Sequence, residues 1–124
     1  MKVSDVKRAI ESYAPTFLAE DFDNVGLLVG NENNDVTSVL LTLDVDIDVA
    51  EEAVAKGANL IVSHHPVIFN PVKRITADTP EGRLLLYLIE NKISVYSAHT
   101  NLDSAAGGLN DLIAALLELS DCTP

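Results

Sequence analysis

Two adjacent imidazoles, His64 and His65, follow directly on the run Leu60-Ile-Val-Ser63, and Pro66 closes the segment. Leu60, Ile61 and Val62 form an apolar run of the kind a buried strand has. Proline has no amide hydrogen and biases the residue before it toward extended geometry, so regular structure stops there. Two metal-capable side chains therefore stand where a strand delivers its C-terminal end, the place where open α/β sheets bind ligands. The third histidine, His99, and then Asp103 follow another such strand, and Asp44 and Asp46 follow a further one. Imidazole and carboxylate are ligands for zinc, iron, manganese or nickel. Neighbouring residues in extended backbone point to opposite sides, so His64 and His65 suit two ions, one each, better than one shared ion. Asp103, with two oxygens, is the residue to bridge them. Two ions roughly 3.5 Å apart that share a carboxylate bind and activate water, the arrangement of metal-assisted hydrolysis. The plainer reading is a His-His-Pro loop whose imidazoles satisfy backbone groups. Asp44 and Asp46 likewise read as caps of the helix that comes after them, and Asn24 and Gly26 as a turn.

The elements that must position these residues alternate along the chain. Ser4 is placed to cap a helix over about 4–13, with Asp5 in its first turn, apolar Val3, Val6, Ile10 and Tyr13 at helical spacing, and Pro15 as its stop. A polar loop over 18–24 leads to a short strand over 26–30. Asn31-Glu-Asn-Asn-Asp35 is turn chemistry before a strand over 36–43, and so short a polar connection predicts a hairpin and a mixed sheet. A helix over about 47–56 comes next, with Val49, Ala50, Ala53 and Val54 inward and Gly57 as its stop. The strand over 59–63 then leads into a loop over 66–79. Thr79-Pro-Glu81 opens a helix with Leu84, Leu85, Leu88 and Ile89 inward. A strand over 93–97 and a last helix over about 109–119 complete the chain. Repeated strand–helix–strand units predict one α/β domain over 1–124, a mostly parallel sheet flanked by helices.

Composition narrows the function. Eight basic against 19 acidic side chains give a formal charge of −11, the wrong sign for direct nucleic-acid binding. A bound divalent cation would offset part of that repulsion. The lone Cys122 excludes an internal disulfide, fits a reducing compartment and reads as an incidental thiol rather than a nucleophile. No apolar run approaches the ~20 residues that a membrane span needs. A soluble, cytoplasmic protein is expected. The leucine-rich helices, with Leu84, Leu85, Leu88, Leu112, Ile113, Leu116 and Leu117, carry more apolar face than so small a sheet covers. A homo-oligomer of two copies or more is expected on that ground.

Phe22-Asp-Asn-Val-Gly-Leu-Leu-Val-Gly30, Leu60-Ile-Val-Ser-His-His-Pro-Val-Ile-Phe69, Val95-Tyr-Ser-Ala-His-Thr-Asn-Leu-Asp103 and Gly107-Gly-Leu-Asn-Asp111 together resemble the dinuclear-metal-centre family. Its members are called GTP cyclohydrolase I type 2 homologues, or NGG-one-interacting-factor-three-like proteins. The similarity runs through the whole chain in order. The resemblance implies that His64, His65 and Asp103 are metal ligands for up to two divalent ions. It places His99 in the pocket, where it would orient water or substrate. It also implies two-metal, ring-shaped hexamers of the cytoplasm that take a small-molecule or nucleotide substrate. Hydrolase readings, cyclohydrolase-like or phosphoesterase-like, stand beside a non-catalytic reading as a metal- or partner-binding regulatory protein. Family members are far longer, and their remaining ligands, a His and a Glu one helical turn apart, come from a C-terminal half. No His-x-x-x-Glu occurs after Asp103 here, so the chain corresponds to the N-terminal half, with an incomplete metal site.

Overall fold

A computed structural model describes residues 1–123. Four strands form one sheet: β1 (Gly26–Val29), β2 (Val39–Thr42), β3 (Leu60–Ser63) and β4 (Ser94–Ser97). Their order is β1-β4-β3-β2, with β2, β3 and β4 parallel and β1 antiparallel to β4. The helices are α1 (Val3–Tyr13), α2 (Ile47–Ala55), α3 (Pro80–Glu90), α4 (Thr100–Ser104) and α5 (Leu109–Leu116).

Period-2 alternation sorts the strand side chains onto two faces. Ile61, Val95 and Val29 pack against Ala50 and Ala53 of α2 and against Leu85 and Leu88 of α3. Leu60 and Tyr96 pack on the other side against Val3 of α1, with Val6 and Ile10 at the margin of that cluster. The sheet is thus covered on both faces, as parallel strands require. No helix among the described residues is long and apolar enough to cross a membrane.

The sheet is mixed, but not through a hairpin. β1 and β2 lie at opposite edges, and β1 pairs with β4, far along the chain. The polar connection between them serves α1 instead. Val3 N–H donates to Asn34 O at 2.9 Å, Ser4 N–H to Glu32 O at 2.9 Å, and Val36 N–H to Met1 O at 2.8 Å. The first amides of α1 have no partners within the helix, and the 31–34 turn supplies carbonyls for two of them. A side-chain cap from Ser4 is therefore not needed, and the N-cap is Lys2, whose own amide donates to Asp5 at 2.8 Å.

Other boundaries agree with the expected signals. Asp46 caps α2 by accepting from Val49 N–H at 2.9 Å, and Thr79 caps α3 by accepting from Gly82 N–H at 3.0 Å. Three expected core positions lie outward: Tyr13, Val54 and Ile89 are exposed. Each sits at the edge of its helix's apolar stripe, beyond what the narrow four-stranded sheet reaches. On α5, which ends earlier than expected, Leu112, Ile113 and Leu116 are exposed, as is Leu117 just beyond it.

Candidate metal centre at the strand ends

The register brings four chain segments to one edge of the sheet. Thr42 pairs with Ser63, Ser63 with Ser97, and Ser97 with Gly26 of the antiparallel β1. The residues just after β2, β3 and β4 and those just before β1 therefore share that edge. These segments carry Asp44, His64 and His65, His99, and Asp23.

The chain bends at His64 and His65 rather than staying extended. Backbone bonds from His64 N–H to Thr42 O (3.2 Å) and from His65 N–H to Leu43 O (2.9 Å) hold the bend to the end of β2. The buried Ser63 hydroxyl donates to His65 O at 2.9 Å and lies 2.8 Å from the Ser97 hydroxyl. The two rings are consequently not on opposite sides: their centroids are 5.1 Å apart. His99 stands 5.1 Å from His64 and 5.6 Å from His65. One ligand atom from each of the three imidazoles lies within 4.8 Å of the others.

Each ring is oriented through its Nδ1. His64 Nδ1 lies 2.9 Å from Ala98 O, His65 Nδ1 2.6 Å from the Asp44 carboxylate, and His99 Nδ1 2.9 Å from the Asp23 carboxylate. Carbonyl and carboxylate oxygens only accept, so each Nδ1 carries the proton and each Nε2 keeps its lone pair in the neutral ring. A carbonyl or carboxylate behind each imidazole is the usual surrounding of metal-ligating histidine. Asp103 comes four residues after His99 through the short α4, and its carboxylate lies 3.7 Å from His64 Nε2. The donor set of three imidazoles and one carboxylate fits a divalent transition metal.

Asp23 and Asn101 set the position of His99. The Asp23 side chain has no solvent exposure. It accepts from His99 Nδ1, from Thr100 N–H at 3.1 Å, from the Thr100 hydroxyl and from Asn24 N–H at 2.8 Å. Burial alone would raise its pKa, but these bonds outweigh burial and bring it down to about 2. Asn101 is fully buried, accepts from His99 N–H at 3.0 Å and donates to Ala14 O at 2.8 Å, joining α4 to the end of α1.

Of the residues singled out from sequence, His64, His65 and His99 come together and Asp103 lies beside His64. Asp46 is a helix cap, as its place before α2 suggests. Asp44 is not a cap: it faces His65. Asp23 has no role that its own neighbours in the polar loop over 18–24 reveal. The one signal for it is its place in Phe22-Asp-Asn-Val-Gly26, just before the strand that runs back alongside β4.

A mixed α/β sheet with imidazoles held by acceptors at its parallel strand ends defines the class: an α/β protein with a strand-end histidine cluster whose ligand atoms could hold a metal ion. Residues 1–124 match the family described as Duf34/NIF3 (NGG1p interacting factor 3), and the chain belongs to that family. It is 49% identical over 117 residues to a GTP cyclohydrolase 1 type 2 homolog of Clostridium perfringens, covering 94% of this chain and 45% of that relative. The fold matches a Bacillus cereus protein related to NIF3, with TM-score 0.91 and 43% identity over 98% of this chain and 33% of that one. It also matches reduced HcgD from Methanocaldococcus jannaschii, with TM-score 0.93 and 37% identity over all of this chain and 50% of that one. The chain thus spans half or less of the length of these relatives.

Proposed function

We propose that the strand-end cluster is the N-terminal share of a divalent-metal centre that carries out hydrolysis, cyclohydrolase-like or phosphoesterase-like. His64 and His65 would ligate, Asp103 would bridge, and His99 would orient water or substrate. The observation that carries this reading is the pinning of all three Nδ1 atoms by oxygen acceptors, which leaves three Nε2 lone pairs in one cluster. Bound divalent ions supply Lewis acidity and acidify water. Asp23 and Asp44 hold the His99 and His65 rings in one tautomer and orientation. The relatives' name, GTP cyclohydrolase 1 type 2 homolog, agrees with a hydrolytic role. A screen of nucleotides and phosphoesters with added zinc or manganese tests it. Turnover is expected for the native chain and lost in the double variant His64→Ala, His65→Ala. Equal turnover in that variant would contradict the reading.

The non-catalytic, partner-binding reading is favoured by a separate observation. Leu41 on the edge strand β2 is 76% exposed and Leu116 on α5 is 75% exposed. Contiguous apolar surface of more than a few hundred Å² suits an interface. In this reading a second copy covers part of the space that the longer relatives fill with their own chain. Sedimentation at micromolar concentration is expected to show a dimer or larger species. A folded, soluble monomer would contradict it.

A further inference from the structure

Both histidine-bearing strand ends repeat one spacing. Ser63 stands two residues before His65, and Ser97 two residues before His99. The two serines are register partners on the parallel pair β3 and β4, and both are buried. Their hydroxyl oxygens lie 2.8 Å apart. A buried hydroxyl is costly unless it is hydrogen-bonded, so a pair of them in a strand interior calls for a reason. Ser63 has one proton and donates it to His65 O at 2.9 Å, so the proton between the two hydroxyls belongs to Ser97. The bonds run in series, from Ser97 to Ser63 to the His65 carbonyl.

That series holds the one part of the bend that backbone bonds leave free. The His64 and His65 amides are bonded to Thr42 O and Leu43 O, and Ser63 O accepts from Ala98 N–H at 3.0 Å. No backbone amide donates to His65 O among the described residues, and the Ser63 hydroxyl is its partner. His65 is also the ring with the weakest support of its own. His64 leans on the carbonyl of the buried Ala98, and His99 on an Asp23 side chain with no exposure. The Asp44 side chain that meets His65 Nδ1 is 67% exposed, and an ion pair or hydrogen bond in water holds little.

We propose that Ser63 and Ser97 are positioning residues for His65, Ser63 directly and Ser97 through Ser63. The hydroxyl pair fixes the His65 peptide, so that the ring meets Asp44 and its Nε2 stays in the cluster. The purpose of this positioning rests on the metal reading of the cluster, while the positioning itself is measured on the metal-free chain.

The test records the imidazole nitrogen resonances of the whole chain, stripped of metal, at about pH 8, where an ordinary imidazole is neutral and its two tautomers are distinguishable. In the native chain all three rings are expected to carry the proton on Nδ1. Ser63→Ala is expected to turn His65 into a mixture of tautomers and to leave His99, held by Asp23, unchanged. Ser97→Ala should move His65 the same way by less, and the double variant should match Ser63→Ala, because residues that act in series are not additive. Ser63→Thr, which keeps the hydroxyl, should keep the native His65 signal. Cobalt(II) is then added, and Ser63→Ala is expected to bind it about tenfold or more weakly than the native chain, as loss of support behind a ligand does. An unchanged His65 tautomer in Ser63→Ala, or equal disturbance of His65 and His99, would overturn the proposal. So would a Ser97→Ala effect that adds in full to that of Ser63→Ala. Ser97→Ala removes no bond to His65 itself and carries the test alone if Ser63→Ala does not fold; an unchanged His65 signal there would then overturn it. A native chain that takes up no cobalt would contradict the metal reading and leave the positioning of His65 to be decided by the nitrogen signals.

Discussion

Replacing Asp23 by asparagine is expected to destabilise the fold at neutral pH and to leave little difference from the native chain in strong acid. The native carboxylate is shut off from solvent and accepts four hydrogen bonds, two of them from Thr100. Its pKa is about 2 in the folded chain against an ordinary 3.8. A folded pKa below the unfolded one means that the unfolded state binds the proton more readily. The resulting stability is therefore fully present above pH 4 or so and is lost as pH falls through about 2. The size of the shift corresponds to about 2 kcal/mol. Urea unfolding of native and Asp23→Asn protein at pH 6 and at pH 2.5 measures it. The gap should narrow strongly in acid; an equal gap at both pH values would show that the Asp23 charge adds nothing. Because Asp23 orients His99, which would position water or substrate, the variant is also expected to turn over more slowly.

Asn101→Leu is expected to be comparably damaging, though nothing about it is charged. Leucine has the branched heavy-atom shape of asparagine, with bulkier methyl groups, and would occupy the same buried space. It would leave His99 N–H and the Ala14 carbonyl without their partners. An unsatisfied buried backbone group costs about 1–3 kcal/mol, so the pair together costs on the order of 2–6 kcal/mol. The midpoint of denaturant unfolding should fall accordingly, at any pH between 5 and 8. A variant as stable as the native chain would mean that α4 can shift so that water reaches both groups. The histidine cluster would not keep its geometry under such a shift, since His99 is the residue that opens α4.

The difference between these residues and the histidines shows what the sequence made legible. Short apolar runs that end in His64 and His99 announce parallel strands and their C-terminal ends, because both the run and its polar stop are local. Asp46 and the Thr79-Pro80 pair mark helix starts for the same reason. The hairpin expectation failed because Asn31 to Asp35 says only that the chain turns, and not which strand it pairs with afterwards. Pairing of β1 with β4 is a non-local choice between the two outer strands, β4 and β2, of the parallel trio. Asp23 and Asn101 take their meaning from that pairing. Their partners lie far away in sequence, so nothing in their neighbours separates them from the polar residues of an ordinary loop. Asp44 was visible as a strand-end carboxylate. Its partner was not, because the bend at His64 and His65 that turns the second ring toward it is fixed by backbone bonds to Thr42 and Leu43.

The most direct test is metal content and uptake, measured on protein purified without an affinity tag. Elemental analysis comes first, then zinc and manganese titration of the chelator-stripped chain. About one or two ions per chain are expected, of modest affinity because water must fill coordination positions that protein ligands leave open. The double variant His64→Ala, His65→Ala should bind at least about 100-fold more weakly, since it removes two imidazoles from one centre. Uptake that is absent in the native chain, or the same in the native chain and the double variant, would contradict a metal centre at these strand ends.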